Sequence, residues 1–263
     1  MITLKTNEVI IIGAGLAGSE SALYLANHGV KVKLYEMKKI KKTPAQKSEF
    51  FGELVCSNSL KATDPLSASG LLKCEMEKLG SHLIPLAKEC SVPSGGALSV
   101  DRELFGKKIT NMLENNPNIT IINEVVTRID TSKPTIIACG PLIDDELFDN
   151  LKTLIGDDSC YFYDAIAPIV TQNSIDMQKA YWGNRYNKGE TADYLNCLLN
   201  KEEYLTFYNE LINAKCIELH EFEKIKVFEG CMPVEIMAKR GVDALRYGPM
   251  KPVGIRDSRY EEK

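Results

Sequence analysis

Cys231 stands in the stretch FEGCMPVEIMAKRG (228–241), directly after Gly230 and two residues before Pro233. Proline fits the first turn of a helix, where its missing N–H is no loss, and Val234, Met237 and Ala238 continue a helical pattern. The sulfur is therefore expected near a helix N-terminus, where unpaired N–H groups favour negative charge and raise the reactive thiolate fraction. Cys231 is thus a candidate nucleophile, the plainer alternative being a small thiol packed under the helix start. Among the eight cysteines, Cys56 in ELVCSNSL is the other whose surroundings suggest chemistry. Cys139 and Cys160 lie in or beside apolar runs and read as small buried hydrophobes. No C-x-x-C occurs, and His28, His82 and His220 form no ligand pair, so no metal site is expected.

A second kind of chemistry is written near the start of the chain. Val9 to Ile12 read as a buried strand, and Gly13, Gly15 and Gly18 form a G-x-G-x-x-G that opens a helix with Ala22, Leu23, Leu25 and Ala26 on its packed side. Gly29 ends that helix, and VKVKLYE supplies a second strand finishing at Glu36. The three glycines serve a tight turn, close approach of backbone to a pyrophosphate, and close packing of helix on strand. The helix N-terminus receives phosphate, and the acid about 20 residues on bonds a ribose hydroxyl. Gly13, Ala14, Gly15, Leu16, Ala17, Gly18 and Glu36 are the cofactor-binding candidates. A bare carboxylate at position 36 favours FAD or NAD over NADP. The strand PTIIACGP (134–141), ending in a Gly-Pro step, resembles the return strand of flavoproteins of the glutathione-reductase type and favours FAD.

These features predict an α/β fold: a Rossmann-like FAD-binding domain of the glutathione-reductase type over residues 1–141, with an inserted α+β domain over 142–263. Within the first, a helix is expected over about 101–113, followed by two short strands in 118–130. Within the second, DAIAPIV (164–170) is a strand candidate. Asn200 caps a helix carrying glutamate at its third position, with Tyr204, Phe207, Tyr208, Leu211 and Ile212 on one face as domain core. Residues 239–259 hold six basic side chains against Asp243 and Asp257, and two Gly/Pro turns place Arg246 and Lys251 in a loop. Such a cluster is commonly a solvated face, and an acidic partner such as RNA is the rival reading.

Composition sets the outer limits. The chain of 263 residues is 44% hydrophobic and 26% charged, which is ordinary for a globular protein. A net charge of −4 means that a nucleic acid must be met by a local basic patch. No run approaches the roughly 18 apolar residues of a membrane span, and MITLKTNEVIIIGAG lacks a signal-peptide pattern, so a cytoplasmic protein is expected.

Together, GAGLAGSESALYLA, YEMK, ELVCSNSLKA, ECSVPSGGALSVDRE, TIIACGPL, YFYDAIAPIV, ADYLNC, FEGCMPVEIMAKRG and RYGPMKPVG resemble one family, the folate- and FAD-dependent tRNA (uracil-5-)methyltransferases. The resemblance runs over nearly the whole chain, and ELVCSNSL and EGCMPVE are its most specific parts. It implies methylation of uracil C5 in RNA, with methylenetetrahydrofolate as one-carbon donor, FAD as hydride carrier and NAD(P)H as external reductant. It implies that Cys231 is the thiol adding to uracil C6 and that Cys56 is a second essential thiol near the flavin. RNA, most of all the T-loop uridine of tRNA, becomes the expected partner, met by Arg246 and Lys251. Family members continue past the GPMKPVG loop with a segment that completes the flavin site and part of the folate site. Three alternatives stand beside this reading: the same chemistry on ribosomal RNA, a shortened flavin-binding relic without activity, and an FAD- or NAD-linked oxidoreductase with no RNA partner.

Overall fold

The computed structural model describes residues 8–43, 45–140, 143–156, 170–216 and 232–255. Two compact units divide the chain: Met1–Val92 with Ala97–Cys160, and Pro93–Gly96 with Tyr161–Lys263.

The first unit is built on β1 (Glu8–Ile12), α1 (Leu16–Asn27) and β2 (Lys31–Glu36). β1 and β2 lie parallel, Val9 opposite Val32 and Ile12 opposite Tyr35, with α1 as the crossover. The antiparallel trio β3 (Ser59–Ala62), β4 (Ser91–Val92) and β5 (Ala97–Val100) follows, with α2 (Ala68–Lys78) and α3 (Leu83–Glu89) between β3 and β4. Then come α4 (Arg102–Glu114), capped by the Asp101 side chain, β6 (Ile119–Asn123), β7 (Thr135–Ile137) and α5 (Asp145–Ile155). The main sheet runs β6-β2-β1-β7, and each of its pairings is parallel.

Alternation along β1 decides what each face of the sheet carries. Val9 and Ile11 point into a core shared with Ala22, Leu23 and Ala26 of α1 and Phe105, Ile109 and Leu113 of α4. Ile10 and Ile12 point the other way, onto Leu147 of α5. A parallel sheet covered on both faces reads as an unbroken apolar run, which is why VIII shows no polar alternation. α5 thus packs with the first unit, and the compact units divide beyond it, not near residue 141. Of the two strands expected in 118–130, only β6 forms. The chain after it is irregular, with Val126 and Ile129 packed on the Leu147 side of the sheet.

The second unit holds the hairpin β8 (Ala180–Trp182) and β9 (Leu195–Cys197), then α6 (Lys201–Asn213), α7 (Val234–Ala238) and α8 (Ala244–Tyr247). The Asn200 side chain accepts from the Glu203 N–H while the Glu203 carboxylate accepts from the Asn200 N–H, a complete capping box. The aromatic face of α6 differs from the expected core: no residue of α6 is fully buried and Phe207 is exposed. The expected strand at 164–170 lies, apart from its last residue, outside the described residues.

Candidate dinucleotide and thiol site

The turn from β1 into α1 gives each of its glycines a separate task. Gly13 has φ +98°, and a Cβ there would sit 2.7 Å from the Ala138 carbonyl oxygen at the end of β7. At Gly18 a Cβ would lie 1.8 Å from the Gly13 carbonyl oxygen, so helix and turn close together only around glycine. Gly15 is different: a Cβ there meets nothing within 4 Å. Its glycine is not required by the protein's own packing, and the open space before it is where a ligand's backbone-bound phosphate would come. Gly15 is also the N-cap of α1 and carries no capping side chain, so the first-turn N–H groups of Leu16 and Ala17 have no intrahelical acceptor.

Glu36 ends β2 beside this turn. One carboxylate oxygen accepts from the Ala14 N–H at 2.7 Å and the other from the Lys38 N–H at 2.9 Å, with the residue 6% exposed. Each oxygen keeps further acceptor capacity on the cavity side, because a carboxylate offers about four lone-pair sites. The Gly13 N–H donates to the Tyr35 carbonyl and the Gly52 N–H to the Ala14 carbonyl, each at 2.8 Å, which ties strand end, turn and the following loop together.

A cavity of about 610 Å³ opens over this arrangement. Gly13, Gly15, Leu16, Ala17 and Glu36 line it from the β1–α1–β2 side, and Cys56 lines it from the loop before β3. Six expected site residues therefore share one hollow, while Ala14 and Gly18 shape its floor through the contacts above. Cys56 is exposed. The loop that carries it is anchored by a pair that motif reading did not single out. The Lys38 ammonium donates to the Phe50 carbonyl at 2.5 Å and to the Glu53 carboxylate at 2.8 Å, and Glu53 also accepts from the Lys47 and Ser48 N–H groups. Burial alone would push the Glu53 carboxyl up, but Lys38 and the two backbone donors outweigh it and hold the group below the usual carboxylate range. Both residues lie in stretches quoted above, Lys38 at the end of YEMK and Glu53 at the start of ELVCSNSLKA, but nothing in the sequence pairs them.

Cys139 keeps the packed role read for it, partly buried beside Ile10, Ile12 and Leu147. Its thiol donates to the Ile12 carbonyl at 3.4 Å and lines the same cavity. Burial, then the nearby Glu36 charge, pushes its pKa up to about 11, so it is a neutral wall of the hollow.

The remaining site residues belong to the second unit. Arg246 lies in α8 and not in a loop. Its guanidinium bonds Asp243 at 3.1 Å and the Tyr247 hydroxyl at 3.0 Å, and lies 4.9 Å from the Tyr247 ring centroid. Lys251 is exposed, and its carbonyl accepts from the Arg185 guanidinium at 2.9 Å. Cys231 lies outside the described residues. The helix that follows it, α7, begins after Pro233 and has five residues, so the dipole available there is that of little more than one turn. Among the described residues no group of three metal-ligating side chains occurs, and no helix is long and apolar enough to cross a membrane.

Strand, glycine turn, helix and terminal carboxylate in this geometry define an α/β protein of the dinucleotide-binding class. The family model described as "Glucose inhibited division protein A" matches residues 8–262, and the chain belongs to that family. It is 54% identical over 252 residues to the "Methylenetetrahydrofolate--tRNA-(uracil-5-)-methyltransferase TrmFO" of Anoxybacillus flavithermus, covering 96% of this chain and 58% of that protein. The Bacillus subtilis protein of the same name is 55% identical over 252 residues, with the same coverage. The chain thus spans somewhat over half the length of these relatives. Among solved structures, the Aquifex aeolicus GidA in its form II crystal aligns at a TM-score of 0.38 and 20% identity, over 47% of this chain and 20% of that one.

Proposed function

We propose that this chain carries the dinucleotide-binding and RNA-facing part of a cytoplasmic enzyme that methylates C5 of uracil in RNA, with the T-loop uridine of tRNA as first choice. The observation that carries the reading is the sharing of one cavity by Gly15, Glu36 and Cys56, which sets a thiol beside a nucleotide site. Relatives more than 50% identical are named for folate-dependent tRNA uracil methylation, and this supports the reading.

FAD fits the residues present. The unfilled space at Gly15 and the free helix N–H groups suit its diphosphate, and Glu36 suits the adenosine ribose. When bound and reduced by NAD(P)H, FAD supplies the hydride that turns a folate-delivered methylene into a methyl. The protein's own part is thiol chemistry. Uracil C5 becomes nucleophilic only after a thiolate adds at C6, and the family motif assigns that addition to Cys231. Cys56, on the wall of the dinucleotide cavity, suits removal of the C5 proton before the C6–sulfur bond breaks. Arg246 and Lys251 supply positive charge for RNA phosphates.

The test is methyl transfer to a uridine-containing tRNA stem-loop with FAD, methylenetetrahydrofolate and NADH, run on this chain and on a version extended to the relatives' length. Cys231→Ala and Cys56→Ala should each abolish product while flavin binding persists. RNA bearing 5-fluorouracil should form a denaturation-resistant adduct that Cys231→Ala does not form. Full methylation by either extended variant contradicts the assignment of that thiol, and flavin binding without any RNA product returns the chain to the oxidoreductase reading.

A further inference from the structure

The second unit contains a tightly bonded loop that carries an exposed tyrosine. Tyr186 and Asn187 have φ values of +58° and +52°, two consecutive non-glycine residues in the left-handed region. Asparagine visits that region readily but tyrosine rarely does, and strain such as that at Tyr186 persists only where the surroundings impose it. Here the surroundings do. The Asn184 amide donates to the carbonyls of Lys188 and Thr191 and accepts from the Asp193 N–H at 2.8 Å. Asp193 in turn accepts from the Thr191 hydroxyl at 2.6 Å and the Gly95 N–H at 2.5 Å, contacts that hold its carboxyl below the usual range. Gly189, at φ +93°, packs so tightly on Gly95 that a Cβ there would meet its Cα at 2.9 Å.

The knot supports an exposed tyrosine. Tyr186 is 58% exposed, its N–H donates to the Gly254 carbonyl at 2.6 Å, and a Cβ on Gly254 would lie 2.5 Å from the ring. Gly254 thus backs the ring from one side while much of the residue faces solvent. The Arg185 guanidinium ties the same loop to the Lys251 carbonyl. Next to the tip lies a polar hollow of about 280 Å³, lined among others by Trp182, Asn187, Glu190 and Asn196. Trp182 is itself 46% exposed. A backed aromatic ring, amide and carboxylate edges, and a neighbouring basic loop together make a receptor for a planar heterocycle on an anionic backbone.

We propose that Tyr186 is a stacking platform for one unpaired base of the RNA, with the adjoining hollow receiving the polar edge of that nucleotide. The proposal rests on the RNA reading above and deepens it, adding to the phosphate contacts of the 246–251 segment a site for single-stranded RNA. Unpaired bases are recognised through aromatic stacking, which tolerates any base because each has a π-face.

The experiment is anisotropy titration of a fluorescent RNA stem-loop over a range of salt concentrations, with a blunt duplex of the same length as comparison. Tyr186→Ala should weaken stem-loop binding about five- to hundredfold, the range of one stacked base, and leave the salt slope and the duplex affinity unchanged. Tyr186→Phe should bind as the parent does. Tyr186→Gly relieves the left-handed backbone, so it should melt no lower than the parent and still bind as weakly as the alanine variant. Arg246→Ala with Lys251→Ala should instead reduce the salt slope, by about one for each phosphate no longer neutralised. A parent without RNA affinity overturns the RNA reading and this site with it. A parent that binds, with Tyr186→Gly equally tight, overturns the stacking site alone.

Discussion

The Lys38 ammonium and the Glu53 carboxylate meet at 2.8 Å with their side chains only 4% and 11% exposed. Such a buried pair is weak evidence for net stability, because desolvation offsets much of the attraction. Its consequence is positional. Lys38 follows the carboxylate that ends β2, Glu53 precedes Cys56 by three residues, and the pair ties the thiol-bearing loop to the end of β2.

Replacing one partner should therefore cost more than replacing both. Lys38→Met leaves a buried carboxylate and strips the Phe50 carbonyl of its donor. A loss of about 3–5 kcal/mol is expected, the scale for breaking a buried pair from one side. Lys38→Met with Glu53→Leu should recover part of it, although the Lys47 and Ser48 N–H groups lose their acceptor. Urea unfolding of the four proteins measures the coupling, and strictly additive losses would show that the pair does not act as a unit.

The same carboxylate predicts an acid limb in stability. Glu53 has a folded pKa below its unfolded value, and so has Asp144, chiefly through the Lys41 ammonium. Groups of this kind contribute fully above the unfolded carboxylate pKa, about 4, and the contribution is lost as pH falls through the folded value. Melting temperature should fall steadily below about pH 4. Glu53→Gln should start lower at neutral pH and lose less on acidification. An unchanged acid slope in that variant would exclude Glu53 as a source of the limb.

The two cavity cysteines should part company towards an alkylating reagent. Cys56 is exposed, whereas Cys139 is held neutral by a pKa of about 11, and only thiolate reacts. Near neutral pH, peptide mapping after brief iodoacetamide treatment should find Cys56 modified and Cys139 intact. FAD bound over Gly15 and Glu36 should protect Cys56, which lines the same cavity. Equal labelling of Cys56 with and without the dinucleotide would separate that loop from the site.

Much of the first unit was legible because short-range rules coincide there. The VIII run, the three glycines and Glu36 lie within 30 residues, and Gly13 and Gly18 each have a steric reason that their neighbours reveal. The capping box at Asn200 was legible for the same cause. What escaped depends on distant partners. Lys38 looks like an ordinary surface lysine until the 47–53 loop folds over it, and Cys139, packed as read, shows its place on the cavity wall only in the fold. Tyr186 carried no signal, because its left-handed backbone is imposed by Asn184 and Asp193 through the folded loop. The aromatic face of α6 misled in the opposite direction: periodicity marks an apolar stripe but does not say how completely it is covered.

The central claim, that a dinucleotide diphosphate lies over the Gly13–Gly18 turn, is tested most directly by calorimetric titration of FAD into the parent, Gly15→Val and Gly18→Ala chains. Gly18→Ala drives a Cβ into the Gly13 carbonyl and should lose about 1–3 kcal/mol of folding stability as an overpacked contact, which separates damage to the fold from damage to the site. A Cβ at Gly15 meets open space, so Gly15→Val should cost no more than a poor N-cap residue, about 1 kcal/mol. The expected result is FAD binding by the parent and none by Gly15→Val, with Gly18→Ala as the control for lost stability. Equal affinity in the parent and Gly15→Val, or no binding by the parent, would contradict the account.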